Sequence, residues 1–334
     1  MHNERQPSGR DQRLRYPDFF VVGVVKGGTT ALHTLLSDHP GIHLSPIKET
    51  NFFSRADMRP EHFVREYALD VRMDVKRYIA QGMKEVVHIA HVDDANDYLR
   101  LFGKARTRHK LGEVCPSYAI CPSAAGAIHA AVPGARIFIM LRDPVLRAWS
   151  HYLMNVREGK TRNASFLDEV MADDARSPKG WGINHQYLAL GEYDVQVKRY
   201  LDLFPKERVH VLLYEHFKAD PNATLKSMFA DIGVMQDVAI DTDRQSNAAA
   251  VPRNAALNAM LVKSGALKVV KDLVPRGMRG NFKKMLYSRK GMPRLPHDEA
   301  LKLWAHYAPG VERLKDLTGI NVLQAWGPEH YGNG

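Results

Sequence analysis

The sequence has little of the features that define several whole classes of proteins. It contains only two cysteines, Cys115 and Cys121, among 334 residues, which is too few for the disulfide framework of a small secreted domain. No second pair at metal-ligand spacing accompanies them, so we interpret both as reduced and structural. The longest apolar runs, such as FFVVGVV and IFIML, are far shorter than the roughly 20 residues that a membrane-spanning helix needs.

The first segment, MHNERQPSGRDQRLRYPD, also lacks the apolar core of a signal peptide. We therefore expect a soluble cytoplasmic protein without a membrane span. Residues 1–16 are predicted to form a flexible polar tail, and residues 17–334 one domain.

Acidic residues are outnumbered by basic ones, 37 to 47, which gives a formal net charge of +10. This excess predicts attraction to polyanions, nucleotides or acidic glycans without choosing among them. The basic residues are scattered along the chain, and no zinc-finger spacing or RNA-recognition motif is present. We expect no nucleic-acid partner, and the oligomeric state stays open.

Apolar runs that resemble strands alternate with helical patterns along much of the chain. This alternation indicates an α/β fold with a mainly parallel sheet flanked by helices. Ligands of such sheets bind beyond the carboxyl ends of the strands. The predicted elements are the strands FFVVGV, IHLS, ARIFIML and RVHVLLY, and helices near residues 30–37, 123–132, from 144 and near 221–232.

The later part of the chain has a different composition. From about Gln245 to Pro296 strand periodicity is lost, and we predict helices and loops packed over the site. The amphipathic pattern of DEALKLWAHYAPGVERLKDLTG predicts a helix that docks on the main domain.

The stretch FFVVGVVKGGTTALHTLL, residues 19–36, predicts a buried strand, a glycine turn and a helix. Backbone N–H groups and the positive end of such a helix can bind a phosphate, which glycines allow to approach closely. In a Walker A loop, however, lysine follows the second glycine directly. Here Thr29 follows Gly28, and Lys26 comes three residues early.

A second constellation lies in ARIFIMLRDPVLRAWSHY, residues 135–152. Arg142 leaves a predicted strand, Asp143 suits an N-cap, Pro144 suits the first helical position, and Ser150 lies nearly two turns along the helix. Arginine at this place can bind a phosphate bidentately, with the serine hydroxyl as a further donor. The alternative is a structural Arg-Asp pair that caps the helix.

Four segments in this order, KGGTTAL, PIKETNFFS, GEVCPSYA and LRDPVLRAWSHY, resemble sulfotransferases that use 3′-phosphoadenosine 5′-phosphosulfate (PAPS). The resemblance is strongest to the branch of heparan sulfate and bacterial carbohydrate sulfotransferases, and it extends from Pro17 to about Trp326. It implies a single P-loop-like domain and sulfuryl transfer to a hydroxyl of a carbohydrate or glycosylated small molecule.

The resemblance also implies roles for individual residues. Lys26 matches the lysine at the bridging oxygen of PAPS and is a catalytic candidate. Arg142 and Ser150 match the pair that binds the 3′-phosphate, and Glu49 matches the general base. The residues that match the 5′-phosphate loop are Gly27, Gly28, Thr29 and Thr30.

Three further groups follow from the resemblance. Lys48, Glu113, Ser117 and Tyr118 are weaker acceptor-site candidates, and Val114 replaces a lysine that some heparan-acting members carry. The late basic loop of the family matches Arg289, Lys290 and Gly291, or alternatively residues 247–253. Sulfuryl transfer does not require a bridging metal, and His88 and His91 lack partner ligands, so we expect no metal.

Two other functions fit part of the pattern. A P-loop kinase would need a lysine after Gly28 and a magnesium-binding acid at a strand end, and neither is evident. A non-catalytic polyanion-binding protein would need the positive charge but not Glu49.

Overall fold

A computed structural model describes residues 14–158, 160–161, 165–176, 186–243, 251–252, 287–288 and 293–331. Its centre is a sheet of five parallel strands in the order β2-β5-β1-β6-β7. These strands are β1 (Phe19–Gly23), β2 (Ile42–Leu44), β5 (Lys110–Val114), β6 (Arg136–Leu141) and β7 (Val209–Leu213). The predicted α/β fold with a mainly parallel sheet flanked by helices is therefore confirmed.

Alternate residues of the central strands enter two separate hydrophobic cores, because successive side chains of a strand point to opposite faces. Phe20 and Val22 of β1 belong to the larger core, while Phe19 and Val21 belong to the smaller one. The smaller core is covered by α1 (Thr29–Ser37), α10 (Tyr214–Ala219) and α11 (Pro221–Ile232).

The larger core is covered by helices from several parts of the chain. They include α4 (Ala95–Arg100), α6 (Ala124–Ala131), α7 (Pro144–Glu158), α9 (Tyr193–Leu201) and the long α12 (His297–Thr318). The predicted C-terminal helix is thus present and packs on the main domain. It contacts both α7 and α9.

The remaining elements are short. The helices are α2 (Arg65–Asp70), α3 (Val75–Ala80), α5 (Ser117–Ile120) and α8 (Phe166–Asp174). A second, two-stranded parallel sheet pairs β3 (Ile47–Glu49) with β4 (Val87–Ile89). An antiparallel ribbon pairs β8 (Val251–Pro252) with β9 (Tyr287–Ser288), and β8 contacts α7.

Strand β5 was not predicted from the sequence, although it lies beside the central β1. Its five residues, KLGEV, combine a lysine, a glycine and a glutamate and have no strand-like alternation. Gly112 is required because the ring of Phe19 fills the space of a side chain, with a Phe19 carbon 2.1 Å from an added Cβ. A local pattern cannot show such a contact with a distant residue.

No helix among the residues that the structure describes is long and apolar enough to cross a membrane. Arg15 forms an ion pair with Asp18 at 2.7 Å, and Tyr16 packs against Phe53 and Tyr98. Residues 1–13 lie outside the described part, so the flexible tail stays a prediction.

Candidate active site

The loop between β1 and α1 has the geometry of an anion-binding turn. Gly28 is the N-cap of α1 with φ 93°, and neither a capping side chain nor an acidic residue occupies the first turn. The N–H groups at this helix end are thus available for a ligand. A Cβ on Gly28 would lie 2.6 Å from the ring of Tyr214, so glycine is required for both its backbone angle and its size.

Lys26 lies in this loop and has a left-handed backbone conformation, with φ 67°. Its Nζ lies 3.7 Å from Sδ of Met154 on α7, and it forms no ion pair within the described part of the chain. Burial, together with the nearby positive charges of Arg157 and Arg142, lowers the pKa of Lys26 to about 8. The free loop is therefore a site of concentrated positive charge.

Arg142 follows β6 at the carboxyl edge of the sheet and reaches the same loop. Its Nη1 donates to the carbonyl oxygen of Lys26 at 3.3 Å, and its guanidinium carbon lies 4.8 Å from the ring centroid of Tyr214. The Nε of Arg142 is buried and has no partner among the described residues. The guanidinium is thus held at the loop while part of its donor capacity stays unused.

Asp143 caps α7, as the sequence predicts. Its Oδ1 accepts from the backbone N–H groups of Val145 and Leu146, both at 2.9 Å. Its Oδ2 accepts from Gly327 N–H at 3.2 Å and from the Tyr331 hydroxyl at 3.0 Å. Burial raises the pKa of Asp143 to about 6. Asp143 does not pair with Arg142, so the alternative of an Arg-Asp capping pair is not what the structure shows.

Ser150, Met154 and Arg157 share one face of α7, because residues three and four positions apart are neighbours on a helix. Met154 contacts Lys26, and Arg157 lies close enough to influence the charge of that lysine. The Ser150 hydroxyl makes no hydrogen bond to a described residue. This face of α7 therefore lies next to the loop that contains Lys26, and the N-terminal end of the helix follows Arg142 in the chain.

Glu49 ends β3 and is almost completely buried, with 9% of its side chain exposed. Lys48 Nζ donates to its Oε1, and Nε2 of His88 on β4 lies 3.7 Å from the same oxygen. The register of β3 and β4 brings them together, since Glu49 pairs with Ile89. Both contacts are on Oε1, and no described residue donates a hydrogen bond to Oε2.

The acceptor-site candidates of the GEVCPSYA segment contact the residues that follow Glu49 in the chain. Glu113 is fully buried and accepts from the hydroxyls of Thr50, Tyr98 at 2.6 Å and Tyr118 at 2.8 Å. Burial raises the pKa of Glu113 to about 7, although the three hydroxyl donors oppose this shift. Since Glu113 and Tyr118 have no exposed surface, their contacts support the chain that follows Glu49.

Ser117 is half-buried and contacts the same segment. Its hydroxyl lies 2.9 Å from that of Ser54 and 3.2 Å from Cys115 Sγ. Lys48, another acceptor-site candidate, is 3% exposed and contacts Glu49. Both cysteines are reduced and buried, and burial raises the pKa of each thiol.

Some of the candidate residues lie outside the described part. Arg289, Lys290 and Gly291 belong to this group, as do residues 247–250 and 253 of the alternative loop. Residues 251–252 of the alternative loop are described, and they form β8, which pairs with β9 and contacts α7. No group of three potential metal ligands occurs among the described residues, and His91 lies 2.7 Å from Asp93 instead.

Several residues of the site were missed by sequence reasoning. Tyr214 immediately follows β7, so its place after a predicted strand could have drawn attention to it. Met154 and Arg157 could have been found by extending the helical spacing from Ser150. Nothing local indicates the contact of His88 with Glu49, because it depends on the pairing of β3 with β4.

The chain matches known proteins in both sequence and structure. The model of the Sulfotransferase family matches residues 17–237. Carbohydrate sulfotransferase 15 from Rattus norvegicus is 25% identical over 249 residues, which cover 66% of this chain and 44% of that protein. The bifunctional heparan sulfate N-deacetylase/N-sulfotransferase from Drosophila melanogaster is 25% identical over 207 residues, covering 61% of this chain and 18% of that protein.

The matched region is thus less than half of each of these relatives. Among solved structures, a sulfotransferase from Alicyclobacillus acidocaldarius superposes with a TM-score of 0.65 at 28% identity, covering 92% of this chain and 98% of that one. Because the family model matches more than half of its length, this chain belongs to the sulfotransferase family.

Proposed function

We propose that this protein transfers a sulfuryl group from PAPS to a hydroxyl of a carbohydrate or glycosylated small molecule. The observation that carries the proposal is the pair of cationic side chains, Lys26 and Arg142, at the N-terminus of α1. In the described residues neither forms an ion pair with a carboxylate, and a bound phosphate would balance their charge.

In the proposed complex the 5′-phosphate of PAPS binds to the loop of Gly27, Gly28, Thr29 and Thr30. The 3′-phosphate binds to Arg142 and the Ser150 hydroxyl. Charge-assisted hydrogen bonds of this kind are the strongest that a protein offers to a phosphate. Arg289, Lys290 and Gly291, or alternatively residues 247–253, stay the predicted nucleotide-binding residues of the late basic loop.

The reaction is an in-line displacement at sulfur. The acceptor oxygen forms a bond to sulfur, and the bond from sulfur to the bridging oxygen of the 5′-phosphate breaks. Negative charge grows on that oxygen, and the Lys26 ammonium stabilises it. Glu49 accepts the proton of the acceptor hydroxyl and later releases it to solvent.

Two properties of Glu49 support its role as the general base. The Lys48 ammonium contacts Oε1 of the carboxylate, so a positive charge lies beside the group that would accept the proton. The other oxygen, Oε2, has no hydrogen-bond donor among the described residues. The names of the carbohydrate and heparan sulfate relatives support a glycan acceptor.

The cytoplasmic location stays a prediction.

A binding experiment tests the nucleotide assignment without an acceptor. Adenosine 3′,5′-bisphosphate without Mg²⁺ should raise the Tm of the protein, while AMP and ADP should raise it much less. A ligand at one hundred times its dissociation constant adds about 2.7 kcal/mol of stability. A larger shift with ATP and Mg²⁺ would instead indicate a kinase, and shifts that follow only ligand charge and vanish with salt would indicate a polyanion-binding protein.

Transfer itself is tested with labelled PAPS and a panel of saccharides and glycosylated small molecules. Sulfated product that depends on both protein and acceptor would support the proposal. Tight bisphosphate binding with no transfer to any hydroxyl acceptor would contradict the catalytic part.

A further inference from the structure

We infer that Arg147 is a buried positive charge whose balancing negative charge is the bound nucleotide. This inference rests on the proposed PAPS site but concerns a residue that makes no contact in the proposed complex. Arg147 lies on α7 between Arg142 and Ser150 in the chain. None of its surface is exposed to solvent.

The hydrogen bonds of Arg147 do not satisfy its guanidinium. Nη2 donates to the carbonyl oxygen of Tyr187 at 2.5 Å, and the Tyr307 hydroxyl lies against the group. Nε and Nη1 are buried, and neither has a hydrogen-bond partner among the described residues. A guanidinium has five N–H donors, and each buried donor without an acceptor costs free energy.

Arg147 also lacks an ion pair in the part of the chain that the structure describes. Asp143, the N-cap of α7 one turn earlier, accepts with Oδ1 from N–H groups of the helix N-terminus and with Oδ2 from Gly327 and Tyr331. Asp173 accepts from the N–H of Tyr187 at 3.0 Å and forms no ion pair with Arg147. A buried and unpaired charge is strongly destabilising. The stability of the ligand-free protein therefore does not explain why an arginine occupies this position.

The surroundings of Arg147 point to the nucleotide as that reason. Its charge reaches Lys26, where it contributes to the lowering of the lysine's pKa together with Arg157 and Arg142. The three arginines therefore act on Lys26, and the charge of Glu158 opposes them there. Arg147 also lies one turn before Ser150 and two turns before Met154, whose sulfur contacts Lys26, so these side chains lie along one face of α7. A ligand with two phosphate groups placed there gains from every one of these charges, including those that it does not touch.

Two neutral variants test this inference on the intact chain. R147M replaces the side chain by an apolar one of similar length. R147Q keeps the ability to donate to Tyr187 O, which also accepts from the Tyr307 hydroxyl at 3.1 Å. The affinity for adenosine 3′,5′-bisphosphate is measured by calorimetric titration, and the Tm of the free protein by differential scanning calorimetry.

We expect both variants to bind the bisphosphate about tenfold more weakly, the change that one charge roughly 10 Å from a phosphate produces at the effective dielectric constant of a protein. The loss should be smaller for AMP, which carries one phosphate group less. The free variants should melt no lower than the wild type, because a buried unpaired charge has been removed.

Arg199 provides a matched control. It is a half-buried arginine on α9 that also donates to backbone carbonyls, those of Ala119 and Ile120 at 3.3 and 3.0 Å. R199M should lower the Tm, because it removes these bonds, and should leave the bisphosphate affinity unchanged.

The inference is overturned if either Arg147 variant binds the bisphosphate as tightly as the wild type, or if both fold poorly or melt lower. An equal loss of affinity for AMP and the bisphosphate would also overturn it. These results differ from a failure of the proposed function, in which the wild-type protein itself would show no preference for the bisphosphate.

Discussion

The Arg142 guanidinium lies over the ring of Tyr214, with 4.8 Å between its central carbon and the ring centroid. The same ring occupies the space next to Gly28, where a Cβ would come within 2.6 Å of it. One aromatic side chain thus sets both the position of the arginine and the size of the residue at the helix N-terminus. This contact joins the proposed 3′-phosphate and 5′-phosphate sites, so changes on either side should affect nucleotide binding.

The first prediction concerns the 3′-phosphate. R142A should remove most of the preference for adenosine 3′,5′-bisphosphate over AMP, because it removes a charge-assisted contact of about 1.5–3 kcal/mol. Affinity for AMP should change much less. Calorimetric titration of both nucleotides measures this preference, and R199M is again the control. A variant that keeps the wild-type ratio of the two affinities would exclude Arg142 from the 3′-phosphate site.

The second prediction concerns the charge of Lys26. Because the pKa of this lysine is lowered to about 8, the free protein carries the ammonium below pH 8 and loses it above. Bound phosphates favour the ammonium, so binding above pH 8 requires uptake of a proton. The bisphosphate affinity should therefore fall by up to tenfold per pH unit above pH 8.

Replacement of the lysine should remove this dependence. K26M should bind the bisphosphate more weakly at pH 7 and show a flat profile between pH 7.5 and 9.5, and its transfer rate at saturating PAPS should also fall. If wild type and K26M lose affinity in parallel as the pH rises, another group controls the profile.

The third prediction concerns Glu49. E49Q should lower kcat by roughly 10² to 10⁴, the range typical for removal of a general base, and leave bisphosphate affinity nearly unchanged. Labelled PAPS with an identified acceptor provides the assay, after a test that the chemical step limits the rate. E61Q, at a glutamate with 58% of its side chain exposed, is the control. Turnover of E49Q near that of E61Q would remove Glu49 from the mechanism.

The fourth prediction concerns Lys48, which contacts one oxygen of Glu49. K48M should lower kcat, because the ammonium that lies against Oε1 of Glu49 and holds the carboxylate in place is lost. Tyr67, Cys115 and His88 also face Glu49 and remain unchanged in this variant. K48R should restore kcat, whereas a purely structural role would lower the Tm of K48M without lowering kcat.

The fifth prediction concerns Gly28 and has a matched control in the same chain. Gly28 and Gly82 both have positive φ, 93° and 82°, but an added Cβ meets Tyr214 at Gly28 and nothing within 4 Å at Gly82. G82A should cost about 1–2 kcal/mol for the backbone angle alone. G28A should cost more and also weaken bisphosphate binding. Equal Tm losses would show that Tyr214 moves aside without cost.

Local sequence patterns were sufficient for the elements that repeat a simple rule. Residues close together in the chain determine the strand, glycine turn and helix from Phe19 to Leu36. The same is true of the N-cap at Asp143. The strand β5 was missed because Glu113 is stabilised there by hydroxyls of Thr50 and Tyr98, which come from distant segments. The contact of His88 with Glu49 escaped for the same reason, and family resemblance supplied the roles of Glu49 and Ser150 that spacing alone could not.

The hydrogen bonds of Asp143 have a consequence for biosynthesis. Its Oδ2 is held by Gly327 and Tyr331, while Glu215 joins the N–H of Asp143 to the indole of Trp326 at 3.1 and 2.9 Å. A nascent chain that has emerged only as far as α12 already contains Lys26, Glu49, Arg142 and Ser150. It still lacks Trp326, Gly327 and Tyr331, which bind the start of α7, so these residues must also leave the ribosome before this junction can assume its final form.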